Sequence, residues 1–130
     1  MASGGLGDVA GSLPKALRKR LVGCRVVMPL YGGIKQELRD RMQFITHITV
    51  PVSWRRQYCG IFEAKVDGVI FYFIDNEYYF KRDGIYGHYD DAERFAFFSR
   101  AVLEIIPYID FKPDVIHSND WQTALVPVDY

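Results

Sequence analysis

Residues 3–8, Ser3-Gly4-Gly5-Leu6-Gly7-Asp8, place three glycines within four positions, directly before a carboxylate. A glycine-rich turn that opens a helix bares backbone N–H groups at the positive end of the helix dipole, which suits an anion. Without a Cβ, Gly4 and Gly5 leave those amides open to a phosphate or a sugar. Asp8 falls in the first turn of the helix that follows, where a carboxylate either meets a ligand or simply complements the dipole. The turn has neither the Lys-Ser/Thr ending of a phosphate-binding P-loop nor the GxGxxG spacing of a dinucleotide fingerprint. An anion site and a plain glycine turn both remain open. A second polar set, His117-Ser118-Asn119-Asp120, follows a short apolar run. These side chains either line a cleft at a strand end, or leave Asp120 as a helix cap and His117 as a satisfied buried histidine. The third candidate is the aromatic segment between Asn76 and Asp91, with Tyr78, Tyr79, Phe80, Tyr86 and Tyr89. Ring faces and hydroxyl tips suit sugars, and the same residues equally well fill a core.

These groups need elements to hold them. Val9, Leu13, Ala16 and Leu17 recur at helical spacing, which predicts a helix from Leu6 to about Leu21, flawed at Pro14 and closed at Gly23. Lys15, Arg18, Lys19 and Arg20 form its solvated face. Cys24 to Leu30 reads as a buried strand, and the second glycine turn, Tyr31-Gly32-Gly33, leads into a short helix around Ile34 to Arg41. The alternation implies a further strand ahead of the first glycine turn. Both glycine turns then fall at the carboxyl ends of parallel strands, where open α/β sheets bind ligands. From Phe44 to Asp75 the pattern turns to antiparallel strands, with Asp67-Gly68 as a hairpin turn. Arg55 and Arg56 lie between strands, facing solvent or a substrate. Asp90 to about Ile106 is the clearest helix, with Phe95, Phe98, Val102 and Ile105 or Ile106 on one face and Pro107 at its end. Pro113 to His117 forms a last strand, and a helix runs from Trp121 to about Val128. The fold class is α/β: a Rossmann-like sheet with flanking helices and a β-hairpin excursion.

The 130 residues are 49% hydrophobic, enough for a core of one domain. Sixteen basic residues balance sixteen acidic ones, which argues against a nucleic-acid or polyanion binder. No apolar run reaches bilayer-spanning length, so no membrane partner is expected. Cys24 and Cys59 stand far apart with no Cys/His cluster, as buried reduced thiols of a cytosolic protein do.

Four stretches together resemble one family. Gly4-Gly5-Leu6-Gly7-Asp8-Val9 with Gly11-Ser12-Leu13-Pro14-Lys15-Ala16-Leu17, then Val26-Val27-Met28-Pro29-Leu30-Tyr31, are similar to the N-terminal signature and second strand of bacterial glycogen synthases and plant starch synthases. Arg94-Phe95-Ala96-Phe97-Phe98-Ser99-Arg100-Ala101 and Pro113 through Leu125, which contains His117-Ser118-Asn119-Asp120-Trp121, follow in the same order. The resemblance implies a retaining glucosyltransferase of GT-B architecture. Such an enzyme moves glucose from ADP-glucose to the non-reducing end of an α-1,4-glucan, with no metal and no cofactor. It implies that residues 1–130 are an incomplete N-terminal, acceptor-side domain without the C-terminal nucleotide-binding domain, inactive by itself. Carried over residue by residue, Gly4 and Gly5 approach the donor phosphates and Asp8 and Asp120 are catalytic. His117, Asn119 and Tyr89 line the substrate cleft. Ala2 stands where the family commonly has Lys, and Gln122 where many members have His. The setting implied is a bacterial cytoplasm or a plastid stroma. Exposed sheet edges would allow an oligomer. A non-catalytic glucan-binding module on the same half-fold is the alternative. The missing GxGxxG argues against a dinucleotide-dependent oxidoreductase.

Overall fold

The computed structural model describes residues 23–84, 87–113, 115–119 and 122–126. They build one six-stranded sheet: β1 (Arg25–Pro29), β2 (Gln43–Val52), β3 (Arg55–Val66), β4 (Val69–Asp75), β5 (Val115–Asn119) and β6 (Gln122–Val126), in the spatial order β2-β3-β4-β1-β6-β5. Three α-helical segments accompany it: α1 (Gln36–Arg39), α2 (Glu77–Phe80) and α3 (Asp91–Ile105), the last continued by a 3₁₀ turn at Ile106–Tyr108.

The centre of the sheet follows from composition. β1 and β4 pair in parallel, from Arg25 opposite Ile70 to Pro29 opposite Ile74. Val27, Met28, Tyr72, Phe73 and Ile74 are fully buried, so these strands read as continuous apolar runs rather than alternating ones. The expected hairpin is present between β3 and β4. Asp67 and Gly68 both have positive φ, 50° and 80°, as a turn matched to strand twist requires. β2 joins β3 antiparallel, with a register shift between Phe44 and Thr46.

α3 packs against β2. Its buried stripe is Arg94, Phe97, Phe98, Ala101, Val102 and Ile105. Phe95, assigned to that stripe from the sequence, is instead 46% exposed. Positions 94, 97, 98, 101 and 105 recur every three or four residues, and Phe95 lies about 100° away from Arg94 around the helix. The helix expected over Ile34–Arg41 shortens to the single turn α1, and the aromatic loop contains a helical turn, α2.

The chain end differs from expectation in kind. Gln122–Val126 is a strand, not part of a helix from Trp121 to Val128. β6 pairs antiparallel with β5 on one side and with β1 on the other, Val26 opposite Ala124. The backbone groups of β1 that point away from β4 need partners, and β6 supplies them. Thr123 and Val126 are β-branched and suit a strand. Asn119 therefore ends a strand, and Asp120, read as a possible cap, lies outside the described residues. The predicted helix over Leu6–Leu21 lies outside the described residues.

Candidate functional site

Because β1 and β4 are parallel neighbours, the segments that follow them leave the sheet at the same edge. After β1, the Leu30 amide continues the ladder to the Ile74 carbonyl at 2.8 Å. The Gly32 amide then donates to the Phe80 carbonyl at 3.1 Å, and a Cβ on Gly32 would sit 3.4 Å from Lys81 Cα. The second glycine turn thus packs on the end of α2, and the Gly32 amide is spent on the fold rather than offered to a ligand.

After β4 the chain runs Asp75-Asn76-Glu77. Asn76, 4% exposed, accepts from the Tyr79 amide at 3.0 Å through Oδ1 and donates from Nδ2 to the Tyr58 carbonyl at 2.9 Å. One side chain caps α2 and ties it to β3. A cleft opens around this corner in two lobes that share Asp75 and Glu77. The inner lobe, about 280 Å³, is bordered by Gln36, Arg39 and Lys81. The outer, about 460 Å³, is bordered by Gln57, Tyr58, Asn76 and Tyr78. Arg39 is fixed by donating to the carbonyls of Tyr31 at 2.6 Å and Ile34 at 3.2 Å. Burial pushes the Asp75 carboxyl above the usual range, neighbouring Glu77 adds to this, and Arg39 offsets part of it.

The outer wall is held by charge. Arg82 donates to both carboxylate oxygens of Asp90, Nη2 to Oδ2 at 2.8 Å, and its guanidinium lies 5.2 Å from the Tyr78 ring centre. The Arg82 contact holds the Asp90 carboxyl below its ordinary value. Arg94, with no exposed surface, donates to the Tyr79 carbonyl at 2.7 Å and to Asp91 Oδ1 at 2.9 Å. Asp91 also accepts from the Gly87 and His88 amides at 2.9 and 3.2 Å. Burial pushes the Asp91 carboxyl up, but these donors outweigh it and keep the group low.

Among the residues singled out from the sequence, Tyr89 reaches this cleft. It is 92% exposed, and its hydroxyl lies 3.4 Å from that of Tyr78 on the outer lobe. His117 and Asn119 belong to β5, which runs parallel to β1 through the intervening β6. Asn119 therefore arrives at the same sheet edge, two strands or about 10 Å from β1. Gly4, Gly5, Asp8 and Asp120 lie outside the described residues. Of the aromatic segment, Tyr79 and Phe80 are buried in the core while Tyr78 and Tyr89 are exposed, so both readings of it hold, for different rings. Arg55 pairs with Glu93 at 3.1 Å. Asp75, Arg82 and Arg94 were not assigned site roles from sequence. Only Asp90, placed at the start of the clearest helix, hinted at this network. Among the described residues no His, Cys, Asp and Glu cluster is placed to hold a metal, and no helix is long and apolar enough to cross a membrane. Cys24 and Cys59 are buried and form no disulfide, as expected.

Comparison with known proteins decides the family. The family model described as starch synthase catalytic domain matches residues 1–130. The chain belongs to that family. It is 62% identical over 126 residues to a glycogen synthase of Clostridium botulinum (strain Eklund 17B / Type B), covering 97% of this chain and 26% of the relative. It is 60% identical over 125 residues to a glycogen synthase of Geobacillus thermodenitrificans, covering 96% and 26%. The catalytic domain of starch synthase IV from Arabidopsis thaliana, solved with ADP and acarbose, matches with a TM-score of 0.65 and 30% identity over 84% of this chain and 23% of that one. The α/β sheet read from sequence is therefore the sheet of a glycosyltransferase catalytic domain. The chain spans about a quarter of the length of these relatives.

Proposed function

We propose that the protein containing this chain is a retaining glucosyltransferase that extends the non-reducing end of an α-1,4-glucan with glucose from ADP-glucose. The observation that carries this reading is about 60% identity to glycogen synthases along nearly the whole chain, within a family match over residues 1–130. The starch synthase IV structure, which holds ADP and acarbose, supports a nucleotide and a glucan as ligands. In this reading residues 1–130 supply the acceptor side of the cleft, and a nucleotide-holding domain completes it. The isolated chain transfers no glucose.

The chemistry assigned to these residues is electrostatic and positional. The amides of Gly4 and Gly5 stabilise the departing diphosphate without needing a metal, since fixed donors cost no reorganisation as charge develops. Asp8 and Asp120 serve as catalytic carboxylates at the transferred sugar. His117, Asn119 and Tyr89 orient hydroxyls along the cleft, where correct placement accounts for a large part of the barrier. The setting is the cytoplasm, consistent with bacterial glycogen synthase relatives.

The test uses the full-length protein encoded with this chain. Labelled glucose is followed from ADP-glucose, and separately from UDP-glucose, onto glycogen. The expected result is transfer from ADP-glucose that falls at least a hundredfold in Asp8→Ala, the scale of one lost electrostatic contact in a transition state. Folded protein that transfers from neither donor contradicts the proposal.

A further inference from the structure

Gly60 lies in the interior of β3, opposite Asp75 of β4 and His47 of β2, where the chain makes no turn. Glycine weakens a strand interior and marks places where another group approaches the backbone closely. A Cβ there would stand 3.0 Å from the Tyr58 hydroxyl and 3.1 Å from Asp75 Cβ. The approaching group is thus Tyr58, whose ring folds across Gly60 and carries its hydroxyl toward Asp75. Tyr58 remains half-exposed, as does Tyr78 across the outer lobe of the cleft.

What lies between those rings is suited to a neutral, hydroxyl-rich ligand. The Asp75 side chain makes no hydrogen bond or ion pair among the described residues, although burial makes its ionised form costly there. An ionised carboxylate only accepts hydrogen bonds, and sugar hydroxyls donate them. Glu77, paired with Lys81 at 3.4 Å, lies beside it, and the outer lobe is lined by these two carboxylates and no cationic side chain, which disfavours a phosphate or diphosphate there. Tyrosine rings take the apolar C–H face of a pyranose while their hydroxyls reach its polar rim. The volume, about 460 Å³, falls within the range of small-ligand sites. Further rings continue outward from Tyr58. The His47 ring stacks on it at 5.4 Å and 24°, and Phe44 stacks on His47 at 6.4 Å and 27°. All three are exposed on the β2–β3 surface.

We propose that Tyr58, Asp75 and Tyr78 form a subsite for one glucosyl unit of the glucan acceptor, with His47 and Phe44 guiding the chain beyond it. The proposal deepens the function given above and takes from it only that the hydroxylated ligand is an α-glucan. A side chain at position 60 would push Tyr58 out of the subsite. Arg82, through Asp90 and the Tyr78 ring, positions the opposite wall.

The experiment titrates maltoheptaose, without donor, into the full-length protein by calorimetry, and measures KM values for maltoheptaose and ADP-glucose separately. Tyr58→Leu and Tyr78→Leu change half-exposed side chains, and Gly60→Ala supplies a third variant that keeps both tyrosines but displaces the Tyr58 ring. Tyr108→Leu, an exposed ring elsewhere, is the control. The expected result is roughly tenfold weaker maltoheptaose binding and a tenfold higher maltoheptaose KM in the three variants, the loss for about one good contact. The ADP-glucose KM stays within twofold, and Tyr108→Leu matches the parent. Parent protein that fails to bind maltoheptaose, variants that bind it as the parent does, or a loss confined to ADP-glucose overturns the subsite. Glucan binding that the variants lose, without glucose transfer by the parent, supports the subsite and rejects the transferase reading.

Discussion

Asn76 connects fold and site through one side chain, and its replacement gives a calculable outcome. In Asn76→Ala the Tyr79 amide loses its acceptor and the Tyr58 carbonyl loses its donor. Tyr79 is fully buried, so its N–H bears most of the desolvation cost, about 1–3 kcal/mol. The Tyr58 carbonyl belongs to a half-exposed residue and recovers water, so its share is nearer the net value of a hydrogen bond, about 0.5–1 kcal/mol. The cap and the Tyr79 bond are the same interaction and count once. The total is about 1.5–4 kcal/mol, which at a urea m-value of about 2 kcal/mol/M moves the unfolding midpoint by roughly 0.8–2 M. Asn76→Asp separates the two bonds. It keeps the acceptor for Tyr79, loses the donor to Tyr58, and makes residues 75–77 three consecutive acids. That variant is destabilised at neutral pH and recovers as acidification protonates the new carboxyl, which regains an O–H donor. Urea unfolding followed by tryptophan fluorescence, with hydrogen exchange at the Tyr79 amide, reads both effects. A midpoint unchanged in Asn76→Ala, with Tyr79 exchange as in the parent, refutes the reasoning.

Asp75→Asn is expected to raise stability at pH 7, because burial lifts the folded-state carboxyl above its unfolded value of 3.8 and ionisation therefore favours unfolding. The advantage over the parent, measured by urea unfolding across pH, closes as pH falls below about 3.8, where the parent is protonated in both states. Asp90 has the opposite sign: stability conferred by Arg82 is present above the unfolded aspartate value and lost as pH falls through the lowered folded value, so Asp90→Asn flattens that acid limb. Cys59, pushed up to about 12 by burial and by Asp75, stays protonated and resists a thiol reagent at pH 8 until the protein unfolds, when its labelling becomes fast. Gly68→Ala at φ 80° costs about 1 kcal/mol in the same unfolding assay, through a strained turn alone.

Fold class was legible because its determinants are local. The Val-rich run of β1, the Asp67-Gly68 turn and the amphipathic α3 each carry their period or turn chemistry in a few adjacent residues. The error at Phe95 was one of phase: the buried face runs through Arg94 rather than Phe95. Burial of Arg94 depends on the Tyr79 carbonyl fifteen residues earlier, which no local pattern displays. The strand at Gln122–Val126 was missed for a related reason: it is fixed by backbone groups of β1 nearly a hundred residues away. The cleft shows the same division. Tyr89 was visible as an aromatic in a glycine-punctuated loop. Asp75 looked like the end of a strand, and only sheet order brings it against Tyr58 and beside Arg39. The motif resemblance located the family, which depends on residue order rather than on contacts.

The most direct measurement of the central claim is product analysis with the full-length protein, ADP-glucose and maltoheptaose. The account predicts a ladder of longer oligosaccharides whose labelled units a non-reducing-end exo-hydrolase releases first. Maltoheptaose left unextended by folded protein, or label recovered only as free glucose, contradicts it.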